Sequence, residues 1–159
     1  MPNLYRPDFD ELRRHPGFNC DRARVGRQAG CERLGASVWS IPAGETAYPH
    51  HFHLGEEELL FVLSGRPSLR TPSGWRELEE GEVVAFRIGE RGAHQLANRT
   101  ADEVRVLAIS TGGAPDIVLY PESGKVGAFE RRPEGGGLYA LFRAGDAVDY
   151  WEDETAPGR

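Results

Sequence analysis

His51-Phe52-His53-Leu54-Gly55-Glu56-Glu57-Glu58-Leu59-Leu60-Phe61-Val62-Leu63-Ser64-Gly65 is the stretch on which the fold turns. In an extended strand successive side chains alternate faces, so His51 and His53 point the same way, roughly 6–7 Å apart. His50 breaks that alternation and is expected to face outward into solvent. Leu54-Gly55 reads as a turn, and Glu58 opens an apolar run, residues 59–63, of strand length. His94 comes from a distant segment. Three imidazoles and a carboxylate make a mixed nitrogen and oxygen donor set, which suits a first-row transition metal better than calcium or magnesium.

The same rhythm recurs along the chain. The chain has 159 residues, most simply one domain, with 39% hydrophobic and 28% charged residues. Its 20 glycines and 11 prolines punctuate short apolar runs as turns punctuate strands, which implies an all-β architecture. Between 34 and 41, Trp39 and Ile41 share one face while Leu34, Ala36 and Val38 share the other. Residues 66–71 and 75–79 read as a hairpin around Pro72-Ser73-Gly74. Further strands are expected at 83–86, 104–109 and 117–120, with one more apolar run at 138–142. Pro7-Asp8-Phe9-Asp10-Glu11-Leu12-Arg13-Arg14 places acids before bases, as a short helix or an arm would.

The quoted stretch, with Gly44 before it, resembles the first signature motif of the cupin superfamily: a glycine, His-x-His, a glutamate three or four residues on, and a glycine six beyond. Glu58 satisfies both gaps, whereas Glu57 fits only the looser one. Gly81 to Asn98 resembles the second motif, keeping its glycine, its histidine (His94) and the asparagine four residues later. It departs at Arg87, where the family usually has proline, and in a loop two residues longer before His94. Residues 117–127 and 147–151 are similar to a bacterial group of cupins with a C-terminal extension. The resemblance implies a double-stranded β-helix, or jelly roll, with residues 1–16 as an N-terminal arm and 17–120 as the barrel. Residues 121–159 would be an extension packing on the barrel or on a dimer partner. It also implies one divalent ion (Zn, Mn, Fe or Ni) in the barrel mouth on His51, His53, Glu58 and His94. Four ligands leave two octahedral positions open, as a catalytic site requires.

Other residues read less specifically. Glu56 and Glu57 suit a turn or surface, with one of them able to accept a hydrogen bond from a ligating histidine. Asn98 is expected to secure local strand geometry, and Tyr48 and Phe52 to serve as core or pocket wall. Arg70 and Arg87 are placed on the surface. Ser123-Gly124-Lys125 has a faint look of a phosphate loop but lacks the glycine pattern before a helix. Cys20 and Cys31 read as free thiols.

The formal charge of −6 argues against a nucleic-acid partner held through phosphates. No apolar stretch reaches membrane-span length, and the polar N-terminal segment has no secretory core, so a cytoplasmic location is expected. A small-molecule ligand or substrate is the expected partner, together with a second copy in a homodimer that covers exposed strand edges. Two functions stand side by side. One is a metal-dependent enzyme with oxygenase-type or sugar-phosphate isomerase-type chemistry, its catalytic groups beyond the metal unnamed. The other is a non-catalytic cupin that binds a small molecule; a structural role with a vestigial site is a third reading.

Overall fold

The structure, a computed structural model, describes residues 1–112, 115–130 and 136–156. Among the described residues thirteen strands follow in chain order: β1 (Glu11–Arg13), β2 (Cys20–Ala23), β3 (Gly35–Ile41), β4 (Phe52–His53), β5 (Glu58–Ser64), β6 (Ser68–Thr71) and β7 (Gly74–Glu77). They continue as β8 (Val83–Phe86), β9 (Gln95–Ala97), β10 (Val104–Ser110), β11 (Asp116–Tyr120), β12 (Lys125–Phe129) and β13 (Tyr139–Arg143). A single helical turn, α1 (Val25–Gln28), is the longest helix among the described residues, and no helix is long and apolar enough to cross a membrane.

All strand pairs are antiparallel. One sheet runs β1-β2-β3-β10-β5-β8, a second β13-β12-β11-β4 and a third β7-β6-β9. Two isolated bridges, Thr46 with Ala97 and His51 with His94, join the segment before β4 to the segment around β9. Non-consecutive strands lie side by side at β3-β10, β10-β5, β5-β8, β11-β4 and β6-β9, as a jelly roll requires.

The alternation in β3 explains why it lies at the centre of the large sheet. Trp39 and Ile41 point into the main core with Leu60, Val62, Leu69, Leu78, Leu96, Val104 and Val106. Val38, on the opposite face, packs with Ala23 and Val25, joined by Ala36, Leu63 and Leu107. Both faces of β3 are therefore covered, and so are both faces of β10, its partner from Val104↔Ile41 to Ser110↔Gly35. Burying each such Val, Leu or Ile side chain contributes about 1.5–3 kcal/mol.

The N-terminal segment differs from its helical reading. Glu11 to Arg13 form a strand on the edge of β2, in the register Glu11↔Arg22, Leu12↔Asp21 and Arg13↔Cys20. A favourable helix dipole contributes only tenths of a kcal/mol at an exposed terminus, whereas the unpaired edge of β2 offers a row of backbone partners. Leu4 and Phe9 then pack into the second cluster. The expected hairpin forms as β6 and β7, with Gly74 at φ 110 where its lack of a Cβ is needed. The run at 138–142 becomes β13, an edge strand whose Tyr139, Leu141 and Phe142 are exposed.

Ser123-Gly124-Lys125 forms the turn between β11 and β12 rather than a phosphate loop. Ser123 N–H donates to Tyr120 O (3.2 Å), Gly124 has φ 60, and Lys125 lies over the Tyr120 ring at 5.2 Å. Cys20 is buried and Cys31 exposed, both as free thiols.

Candidate metal centre

The bridge between His51 and His94 builds the site. His51 N–H donates to His94 O (3.1 Å) and His94 N–H to His51 O (2.9 Å). Residues exchanging both bonds of an antiparallel pair project to the same face, so both imidazoles point one way. His53, two residues beyond His51, shares that face and sits opposite Val118 of β11. Glu58, the first residue of β5, completes the group.

Each histidine has one ring nitrogen engaged by an acceptor at its back. Nδ1 of His51 lies 2.9 Å from Pro49 O, Nδ1 of His94 lies 2.9 Å from Gly92 O, and Nδ1 of His53 lies 2.5 Å from Asp116 Oδ2. A carbonyl or carboxylate can only accept, so Nδ1 carries the proton in all three rings and Nε2 presents its lone pair inward. Ligand atoms of His51, His53 and Glu58 lie within 4.8 Å of one another. Glu58 Oε2 is 3.4 Å from His53 Nε2 and 3.2 Å from His94 Nε2. Lone pairs that converge on a carboxylate at such distances require a positive charge between them, a proton or a metal ion. The buried His53 Nε2 has no hydrogen-bond partner among the described residues. A transition metal fits this donor set.

The electrostatics follow from burial and neighbours. Burial holds the His51 pKa down at about 3, with the charges of His94 and His53 adding to the effect, so His51 keeps its lone pair. Burial alone would raise the Glu58 pKa, but the imidazoles of His94, His53 and His51, positive whenever they are protonated and with His94 then donating to the carboxylate, bring it down to about 2. At His53 burial opposes the charged form, yet the Asp116 hydrogen bond and the Glu58 charge outweigh it and raise the pKa above 6.5. A proton on His53 therefore competes with a metal ion below that raised value. Affinity for Zn or Co is expected to be full above it and to fall as pH drops through it. Metal titrations between pH 5 and 8 check this; affinity flat down to pH 6 would contradict it.

Asp116 is the residue that the motifs miss. It is 1% exposed, opens β11, and takes His53 Nδ1–H on one oxygen and Gly55 N–H (3.0 Å) on the other. It also groups with His53 and Glu56 as a second set of convergent donors. Glu56, read as a turn or surface residue, is 3% exposed; the turn at Leu54-Gly55 folds it inward beside His53. Acidity at the head of an apolar strand was the only sequence signal for Asp116.

His50 faces away from the three histidines but not into open solvent. Its side chain is 13% exposed and its Nδ1 lies 3.8 Å from Glu122 Oε1, while Arg70 also pairs with Glu122. Burial lowers the His50 pKa, helped by the Arg70 charge. Asn98 fixes strand geometry: Nδ2 donates to Ile41 O (2.9 Å) and Asp102 O (2.7 Å), and Oδ1 accepts from Thr100. Phe52 is core, and Arg87 is exposed.

The lengthened loop before His94 forms a tight 3₁₀ turn, Glu90–Gly92, anchored where Gly89 N–H donates to His53 O (2.8 Å). It delivers Gly92 O to His94 Nδ1. A Cβ on Gly92 would lie 1.8 Å from Arg87 O, so only glycine fits. Gly92→Ala is expected to lower stability by about 1–3 kcal/mol and to weaken metal binding by displacing His94. Denaturant unfolding and metal titration check this; wild-type values in both would contradict it.

The histidines open into a cavity of about 490 Å³ whose wall includes Trp39, Tyr48, Phe86 and Tyr120. Tyr48 meets Trp39, His51 and His94 edge-on, at ring separations of 5.6, 5.0 and 5.5 Å. Phe86 stacks on His94 at 3.8 Å. The volume suits a small molecule.

Residues 37–110 match the family model described as "Cupin domain". No curated protein matches the chain. Among solved structures, a provisionally named sugar phosphate isomerase from Acidithiobacillus ferrooxidans is 25% identical, with a TM-score of 0.73, covering 85% of this chain and 83% of that one. A sugar phosphate isomerase of the cupin superfamily from Silicibacter pomeroyi is 20% identical, with a TM-score of 0.77 and coverage of 96% and 98%. A polyketide cyclase from Streptomyces resistomycificus is 21% identical, with a TM-score of 0.53 and coverage of 66% and 77%.

Proposed function

From a chain that belongs to the cupin superfamily, we propose a metal-dependent enzyme acting on a small molecule, with isomerase-type chemistry at a carbonyl. The observation that carries the proposal is the inward convergence of three Nε2 atoms and Glu58 at the wall of a cavity sized for a small molecule. His51, His53, Glu58 and His94 would hold the ion. A bound divalent ion supplies Lewis acidity, polarising a substrate oxygen.

The protein's own groups have defined parts in this reading. Pro49 O, Gly92 O and Asp116 hold the Nδ1–H of each ring, so Nε2 is the nitrogen left to face the ion, and any proton on His53 Nε2 must leave as the ion binds. Burial, reinforced by Glu58, raises the Tyr48 pKa and keeps it a neutral phenol beside His51 and His94. Trp39 and Phe86 exclude water from the inner wall. Isomerisation is preferred to oxygenation because the Acidithiobacillus and Silicibacter structures, alike to this chain over most of their length, bear that name.

A test is to load the protein with Mn, Fe, Co, Ni or Zn and incubate it with aldose and ketose phosphates under air and under argon. Aldose–ketose interconversion independent of oxygen is the expected result. Oxygen consumption without isomerisation would replace the reading with an oxygenase. Tight binding without product would replace it with a binding module.

A further inference from the structure

The metal-facing cavity has a second polar end, built by the N-terminal strands. Glu11 and Arg13 are two residues apart on β1, so they share a face. Arg22 on β2 is the register partner of both Glu11 and Trp39, which puts all four on that same face. Each of them lines the same cavity as His51, His53, Glu58 and His94. The Arg13 guanidinium lies 4.6 Å from the Trp39 ring centroid and that of Arg22 lies 4.8 Å from it. Trp39 in turn meets Tyr48, which meets His51 and His94. A continuous aromatic wall thus links two arginines to the metal-facing histidines.

We propose that Arg13 and Arg22 form a subsite for a terminal oxyanion of the substrate, a phosphate foremost, while the substrate's other end faces the histidines. Stacking on Trp39 holds both guanidiniums in place, and their planar forks suit a phosphate's paired oxygens. Arg22 Nε donates to Ser37 Oγ (2.9 Å), which fixes its plane. Glu11 bridges the pair, 2.8 Å from Arg13 Nε and 3.4 Å from Arg22 Nη1. In this assignment Glu11 is the internal anion that a substrate oxyanion competes with or joins. All three side chains are half-buried, between 25% and 35% exposed, so screening is weaker than at an open surface. The class of substrate is then a small phosphorylated molecule. The assignment rests on the preceding reading only for what happens at the metal end.

Inorganic phosphate is the probe, titrated calorimetrically into metal-free and Co-loaded full-length protein. Saturable binding to the metal-free form is expected, weakened roughly tenfold or more by Arg13→Gln or Arg22→Gln, with the far-UV spectrum and Co content unchanged. Arg13→Lys should fall between them and wild type. Glu11→Gln should tighten binding about threefold, equivalent to ~0.7 kcal/mol; a misfolded variant would not do this. Binding indifferent to all four substitutions would overturn the subsite. So would binding seen only in the Co-loaded form with a change in its visible spectrum, because phosphate would then sit on the metal. Arginine-dependent binding by a protein that never takes up metal would leave the subsite standing and defeat the preceding reading.

Discussion

The His51→Ala/His94→Ala double variant is expected to lose almost all bound metal, from close to one ion per chain to less than roughly a tenth, at any pH where wild type is loaded. Two of the three inward-facing nitrogens disappear, and His53 with Glu58 alone cannot fix an ion against water. The fold should survive, because the His51–His94 bridge is made by backbone groups that alanine retains. Elemental analysis beside circular dichroism separates the two effects. A double variant that keeps its metal and its activity would place the ion elsewhere.

The second large effect is expected at Asp116. In Asp116→Asn one oxygen remains, while the new amide must face either His53 Nδ1–H or Gly55 N–H, so two donors confront each other in a buried place. Stability should fall by about 1–3 kcal/mol, and metal affinity roughly 10- to 100-fold. The pH profile distinguishes positioning from general damage. Without the Asp116 charge the His53 pKa should drop, and the acid loss of metal should move to lower pH. Unchanged affinity with an unchanged pH profile would remove Asp116 from the site.

Much of the architecture can be read from short-range patterns. Alternation in 34–41 separates Trp39 and Ile41 from Val38, and alternation in 104–109 separates Val104 and Val106 from Leu107; the structure puts the first face of each strand in one core and the second in the other. The His51–His53 spacing places both rings on one face, because a period of two is a property of any strand. What escapes the sequence is set by long-range pairing. Asp116 reaches His53 across 63 positions, and no spacing rule spans such a distance. Glu56 looks like a surface acid at the head of a run of three glutamates, yet the turn before it folds it inward. Glu11 to Arg13 carry a helical charge order, and the unpaired edge of β2 overrides it. The arginines thereby acquire a position in the cavity that their local sequence does not signal.

Three histidines turn Nε2 inward because their Nδ1 protons are held from behind. Zinc-loaded, uniformly ¹⁵N-labelled protein tests it directly through long-range ¹H–¹⁵N correlations of the imidazole rings. His51, His53 and His94 are each expected to show a protonated Nδ1 and an Nε2 shifted by zinc, with His15 and His50 unmoved. Zinc on Nδ1 in any of the three, or rings that do not respond to zinc, would contradict it.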